Sequence, residues 1–238
     1  MIRIAIISPI LAPEDDYRSK YRLRDCTGIP AEFEFSYIKK GPRFILNAYD
    51  DALAAPALLR KVLEYEKRGF DAVVINCSAD TALRACREAV RIPVIGPTES
   101  TMLYAMQLVE QFCVLTFTKK INNRFHRIAR ELGIEERLWE VSSVEIEISE
   151  ISNGEERVLN ALYREIQELY ERTGCDGYIL GCTDFEDLAP QLNEKLRENG
   201  MDVVIFKPFE ISAYQAYMTV AMGLRQGTDS YPRSQIQI

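Results

Sequence analysis

The apolar positions of this chain fall into short runs that alternate with longer stretches of helical period. Residues 2–8, Ile-Arg-Ile-Ala-Ile-Ile-Ser, form a mostly apolar run ending at Pro9, the pattern of a buried strand. Residues 12–30 hold no sustained apolar period, which predicts a surface segment with some helix around 17–23. Residues 32–38 alternate polar and apolar, as a half-buried strand does, and Gly41-Pro42 marks a turn. From 49 to 68, Leu53, Ala57, Leu58, Val62 and Tyr65 share one helical face, and Gly69 closes the helix. Residues 71–76 read as a strand, the stretch after Cys77 as a helix burying Leu83, Cys86 and Val90, and 92–96 as another short strand.

The plan then repeats. Residues 111–117 predict a strand, and 119–132 a helix ended by Gly133. Residues 141–148 alternate like 32–38, and 155–172 form a helix with Val158, Leu159, Leu162, Ile166 and Leu169 inside, closed by Gly174. A strand at 177–181, a helix at 187–199 stopped by Gly200, a strand at 203–206 and a helix at 210–224 complete the order. Residues 225–238 read as a polar tail that a neighbour would have to order. Strand alternating with helix predicts parallel sheets covered by helices. Two units of about a hundred residues predict a duplication. The expected fold class is therefore α/β, with two similar lobes, each a short, mainly parallel sheet flanked by helices. The lobes would be 1–97 with 208–238, and 98–207, related by a pseudo-twofold, with the active site in the cleft between them. The crossings fall near Pro97 and Pro208, where proline disfavours a continuing element.

Two stretches of the repeat carry matching chemistry. Gly69-Phe70-Asp71 leads through an apolar strand to Asn76-Cys77-Ser78, and Gly174-Cys175-Asp176 leads likewise to Gly181-Cys182-Thr183. Each cysteine falls one residue beyond a strand, where open α/β sheets bind ligands. Each also precedes a predicted helix, whose free N–H groups and dipole favour a thiolate. One thiolate can take a proton from carbon while the other thiol returns one to the opposite face. Cys77 and Cys182 are thus the candidate catalytic pair. Ser8, Asn76, Ser78, Thr116, Thr118 and Thr183 are the candidate substrate-binding residues, as donors to a carboxylate or imide oxygen. Ser78, Thr183 and Thr98 also suit plain helix caps.

Composition narrows the partners. The 238-residue chain carries a formal charge of -7, which disfavours nucleic acid and anionic membranes. No apolar run approaches the roughly 18 residues of a membrane span, and the N-terminus reads as a core strand rather than a leader, so a cytoplasmic location is expected. Cys26, Cys77, Cys86, Cys113, Cys175 and Cys182 form no CxxC pair, and His126 is the sole histidine. No metal site and no histidine-based triad is expected. Cys86, Cys113 and Cys175 read as core, Cys26 has no assignable role, and Lys119, Lys120, Arg124, Arg127 and Arg130 read as a solvated face.

The chain resembles the aspartate/glutamate/hydantoin racemase superfamily, and most closely its hydantoin-racemase-like branch. The resemblance rests on Gly41-Pro42, residues 71–78, Pro93-Val94-Ile95-Gly96-Pro97-Thr98-Glu99, residues 114–118 and Gly181-Cys182-Thr183. It implies two α/β lobes, no metal or organic cofactor, proton exchange at a carbon next to a carbonyl, and Cys77 and Cys182 as the acid/base groups. Two places depart from the family pattern. The turn after the first strand is Ser8-Pro9-Ile10-Leu11 rather than an Asn-Pro-Asn-Thr-like turn, and Asp184-Phe185 follow Thr183 where glutamate racemases carry a histidine. The substrate stays open between a cyclic ureide such as a 5-substituted hydantoin and a carboxylate such as aspartate or glutamate. Maleate-isomerase-like chemistry, decarboxylation and ligand binding without catalysis are the alternatives on the same scaffold. A small-molecule substrate and a homo-oligomer, by default a dimer, complete the expectation.

Overall fold

Every strand pairing among the described residues is parallel, so each strand must be reached by a crossover, and helices fill most of those crossovers. The computed structural model describes residues 1–13, 26, 28–147 and 155–233. In chain order the elements are β1 (Ile2–Ser8), β2 (Ala31–Tyr37), α1 (Ala48–Lys67), β3 (Ala72–Ile75), α2 (Leu83–Ala89), β4 (Val94–Ile95), α3 (Pro97–Ala105) and β5 (Phe112–Thr116). They continue with α4 (Asn122–Glu131), β6 (Leu138–Ser143), α5 (Glu155–Thr173), β7 (Gly177–Leu180), α6 (Ala189–Glu198), β8 (Val204–Phe206) and α7 (Pro208–Ala221). The chain divides into two compact units, Met1–Pro97 with Phe209–Ile238, and Thr98–Pro208. The expected helix at 17–23 lies outside the described residues.

The first unit holds a sheet of order β2-β1-β3-β4. Side chains alternate across it. Ala5, Ile7, Val73, Ile75 and Val94 point into one apolar cluster, with Ala54, Leu58, Val62 and Tyr65 of α1 and Leu83 and Cys86 of α2. Ile4, Ile6, Ala72, Val74 and Ile95 point into a second cluster, closed by Phe209, Ala213 and Ala216 of α7, with Cys26 and Ile29 beside them. The central strands are therefore covered on both faces, which is why they are apolar throughout. β2, at the sheet edge, is half-buried along its length rather than on one face. Arg68 ties it to α1 through a two-pronged ion pair with Glu34 (2.8 and 2.6 Å), and this guanidinium holds the Glu34 carboxyl below the usual carboxylate range.

The second unit repeats this topology as β6-β5-β7-β8. Here β5 and β7 are wholly buried, and α5 turns Val158, Leu162, Ile166 and Leu169 inward while α6 buries Ala189, Leu192 and Leu196. Gly69 and Gly174 follow α1 and the α5 helix in the left-handed region, at φ 76° and 67°, where glycine carries no steric cost. The expected helix at 119–132 opens as a 3-10 turn, Lys119–Ile121, before α4. Arg124 is buried rather than part of a solvated face, because α4 turns Arg124, Phe125, Ile128 and Ala129 inward together. The alternation expected over 141–148 resolves into β6, with residue 148 outside the described set.

The tail departs from expectation. Residues up to 233 are held by their own unit rather than awaiting a neighbour. Arg87 and Arg91 reach the hydroxyl and carbonyl of Tyr231, and Arg233 bonds Ala89 O and pairs with Glu66. With its amide oriented to satisfy both ends, Gln226 donates to Ile92 O (2.9 Å) and accepts from Val94 N (2.8 Å), beside edge strand β4. Among the described residues no helix is long and apolar enough to cross a membrane.

Gly181 is fixed by packing rather than by φ. A Cβ on Gly181 would meet Leu115 O at 2.7 Å and Val114 Cγ1 at 2.9 Å. Gly181→Ala is expected to destabilise the protein by about 1–3 kcal/mol, read from the denaturant midpoint. An unchanged midpoint would show that the strand contact is not as tight as described.

Candidate active site

Backbone register places the two candidate thiols in equivalent positions of their units. β1 and β3 pair through Ile7 and Ile75, and the next residue, Asn76, donates its N–H to Ile7 O at 2.9 Å. β5 and β7 pair through Leu115 and Leu180, and Gly181 donates to Leu115 O at 2.7 Å. Cys77 and Cys182 follow these two residues. The matching extends to Ser8 and Thr116, whose carbonyls accept from Ile38 N (3.2 Å) and Val144 N (3.0 Å) just past the edge strands.

Cys77 and Cys182 are half-buried, whereas Cys26, Cys86, Cys113 and Cys175 are buried. The buried thiols serve packing. Burial pushes Cys86 up to about 12. Cys175 Sγ donates to the carbonyls of Gln111 and Gly177, and contact with it, together with burial, drives Cys113 upward. Among the described residues no group of three or more His, Cys, Asp or Glu stands together as a metal site.

Asn76 and Ser8 turn to the same side of the first sheet, and Asn76 Nδ2 donates to Ser8 Oγ at 3.1 Å. Both are buried, and Asn76 Oδ1 has no hydrogen-bond partner among the described residues. A buried carbonyl oxygen without a donor costs about 1–3 kcal/mol, so such an atom points to a ligand. Ser78 and Thr183, directly after the cysteines, are buried as well. Thr118 is half-buried at the head of the 3-10 turn.

Thr116 lies deeper than the other candidate substrate-binding residues. Its side chain is fully buried, and its hydroxyl bonds Asn122 Oδ1 (2.6 Å), Ser142 O (3.2 Å) and Thr118 O (3.3 Å). Asn122 continues to Val141 O at 3.0 Å, so this hydroxyl braces β5 against β6. Its single O–H is directed to acceptors of its own unit.

The helix-terminus expectation also differs between the two thiols. Cys182 stands immediately before a 3-10 helix, Thr183–Leu188, and its carbonyl accepts from Phe185 N at 3.0 Å. Cys77 does not stand at a helix start. The chain first makes a turn in which Asp80 N bonds Cys77 O (2.9 Å) and Leu83 N bonds Asp80 O (3.1 Å). α2 begins only at Leu83, because Asp80 and Ala82 occupy the left-handed region at φ 49° and 48°. Between them, Thr81 is fully buried and directs its hydroxyl at Cys77 Sγ, 3.7 Å away. Sequence reasoning missed Thr81 because the stretch reads as an ordinary helix start; the lone trace is a hydroxyl four residues beyond the thiol.

Comparison with known proteins bears on the fold and the family. A hydantoin racemase of Pseudomonas sp. (strain NS671) is 27% identical over 167 residues, spanning 70% of this chain and 67% of that protein. A hydantoin racemase of Paenarthrobacter aurescens is 26% identical over 185 residues, 77% and 76% of the two chains. The allantoin racemase from Klebsiella pneumoniae shares the fold with a TM-score of 0.90 at 20% identity, covering 100% of this chain and 95% of its own. The family model for Asp/Glu/hydantoin racemases matches residues 22–216, and by that match the chain belongs to this family of isomerases.

Proposed function

We propose that this protein is a cofactor-independent racemase or epimerase in which Cys77 and Cys182 exchange the α-proton of one amino-acid derivative. The observation that carries the reading is that the two half-buried thiols occupy the same register position in the two units. A thiolate removes the proton from one face of the α-carbon, and the charge left behind spreads onto the adjacent carbonyl oxygen. The other cysteine gives its S–H proton to the opposite face. One S–H bond forms and one breaks, so thiol and thiolate trade places. Ser78 and Thr183 supply hydroxyls beside the two sulfurs for the developing oxyanion. The six free thiols suit a reducing cytoplasm.

A 5-substituted hydantoin is the preferred substrate, with aspartate and glutamate next. Asn76 Oδ1 suits an N–H beside the reacting carbon, which a cyclic ureide and an α-amino acid both offer and an unsaturated or malonate-type diacid does not. The hydantoin racemases among the relatives favour the cyclic ureide between the two.

The test is solvent-deuterium uptake at the α-carbon, measured on enantiopure hydantoins, aspartate, glutamate and unsaturated or malonate-type diacids. Wild type should exchange with inversion, and Cys77→Ser and Cys182→Ser should each lose about 10²–10⁴-fold. If both variants match wild type on a substrate that turns over, the two-thiol reading fails. Turnover of the diacids alone, by isomerisation or decarboxylation, would move the activity to those reactions, and binding without turnover would make the protein a sensor.

A second prediction concerns Asn76. Asn76→Leu should lower kcat/KM for a hydantoin by roughly 10–100-fold, the cost of one unmade buried hydrogen bond. It should barely affect an analogue N-methylated next to the α-carbon. Equal losses on both would show Asn76 to be only a strut for Ser8.

A further inference from the structure

The turn from Cys77 to Leu83 is built against local preference. Asp80 tolerates the left-handed region through its short polar side chain, but Ala82 has no such compensation. Strain of this kind persists where the surroundings hold it, and it gathers at functional positions. Two features hold the turn. A Cβ on Gly96 would come within 2.8 Å of Asp80 Oδ1 and 2.5 Å of Leu83 Cδ2, so the bare Gly96 backbone is the floor on which the turn rests. Ala79 and Ala82 pack against the apolar cluster beneath α1 and α2, as Cys77 itself does. The outcome of the strained path is a fully buried threonine whose hydroxyl meets a sulfur. A threonine at this point would ordinarily cap its own helix, yet α2 has no side-chain cap.

We propose that Thr81 is a positioning residue for Cys77, its hydroxyl donating to Sγ so that this sulfur is aimed and its thiolate is stabilised. The proposal rests on the reading of Cys77 as a proton-transfer group. Threonine suits the task because its branched side chain has few rotamers, and a fixed hydroxyl favours the ionised form of the atom it donates to. Where sequence reasoning assigned a helix dipole to Cys77, the turn brings the Thr81 hydroxyl. Tyr65 and Cys86 in the apolar cluster are both pushed up by burial, and Asp80 is the charged member of the turn itself. The second unit differs. Four residues beyond Cys182 stands Glu186, a buried acid in place of the threonine. The two thiols are therefore followed by unlike side chains at this spacing.

The test uses the full chain without substrate. Iodoacetamide labelling of each cysteine is followed by peptide mass spectrometry across a pH series, in wild type, Thr81→Val and Thr81→Ser. In Thr81→Val the Cys77 profile should move to higher pH, with labelling at pH 7 slowed about tenfold, the weight of one hydrogen bond to a charged group. Thr81→Ser should restore the wild-type profile, and Cys182 labelling should change less than twofold in either variant. Cys86 should stay unlabelled throughout, which marks an intact fold. If Thr81→Val does not fold, Thr81→Ala carries the same expectation. An unmoved Cys77 profile, a Ser variant behaving like Val, or a parallel shift at Cys182 would each overturn the proposal. The exchange assay on Cys77→Ser decides separately whether that thiol serves the reaction, so failure of one reading is not mistaken for failure of the other.

Discussion

Each candidate thiol stands where it does because one backbone N–H carries the strand ladder a single bond beyond the last paired residue. Asn76 makes that bond to Ile7 and Gly181 makes it to Leu115. The bond sets where the chain leaves the sheet, and a slip by one residue would turn each cysteine to the opposite face. Everything else at the site follows from this constraint. It brings Asn76 onto Ser8 in the first unit, and it demands a side chain no larger than hydrogen at residue 181 in the second. The same position is thus used for polar chemistry in one unit and for close packing in the other.

Much of this was legible in the sequence, and the reason is physical. Strands covered on both faces are apolar throughout, long helices carry one apolar stripe, and a glycine that ends a helix needs the left-handed region. Residues 72–75, 177–180 and Gly69 and Gly174 all wrote those requirements into residue type. The repeat was visible because both units obey the same rules in the same order. The Asp80–Ala82 turn was not visible, because its left-handed residues are not glycines and its content lies in a side-chain contact. Thr116 shows a related ambiguity. A hydroxyl at the end of a strand looks alike whether it faces a ligand or an asparagine on the next helix, and here Asn122 claims it. Arg124 read as solvated because charge was taken as exposure, whereas its helical phase with Phe125 and Ile128 turns it inward.

The duplication supplies two thiols but not two identical environments. Cys182 stands at the head of a 3-10 turn, whereas Cys77 stands ahead of a strained loop. Proton transfer in both directions across a planar centre asks for similar groups, but the two enantiomers of a chiral substrate present different surroundings to them. Divergence around a shared backbone position is a route by which one fold can balance the two directions. The conserved part is the geometry of the main chain, and the adjustable part is what each turn places against the sulfur.

The contact of Gln226 with the rim of the first sheet has a consequence of another kind. β4 is a two-residue edge strand whose outer groups would otherwise invite a strand from another molecule. The amide of Gln226 makes the donor and acceptor pair that such a strand would make, to Ile92 and Val94. Tyr231 and Arg233 then fasten the segment to α2 and its flanks. The segment therefore occupies the edge on which another strand would add, and changes there should be felt in the shelf life of the protein before its turnover.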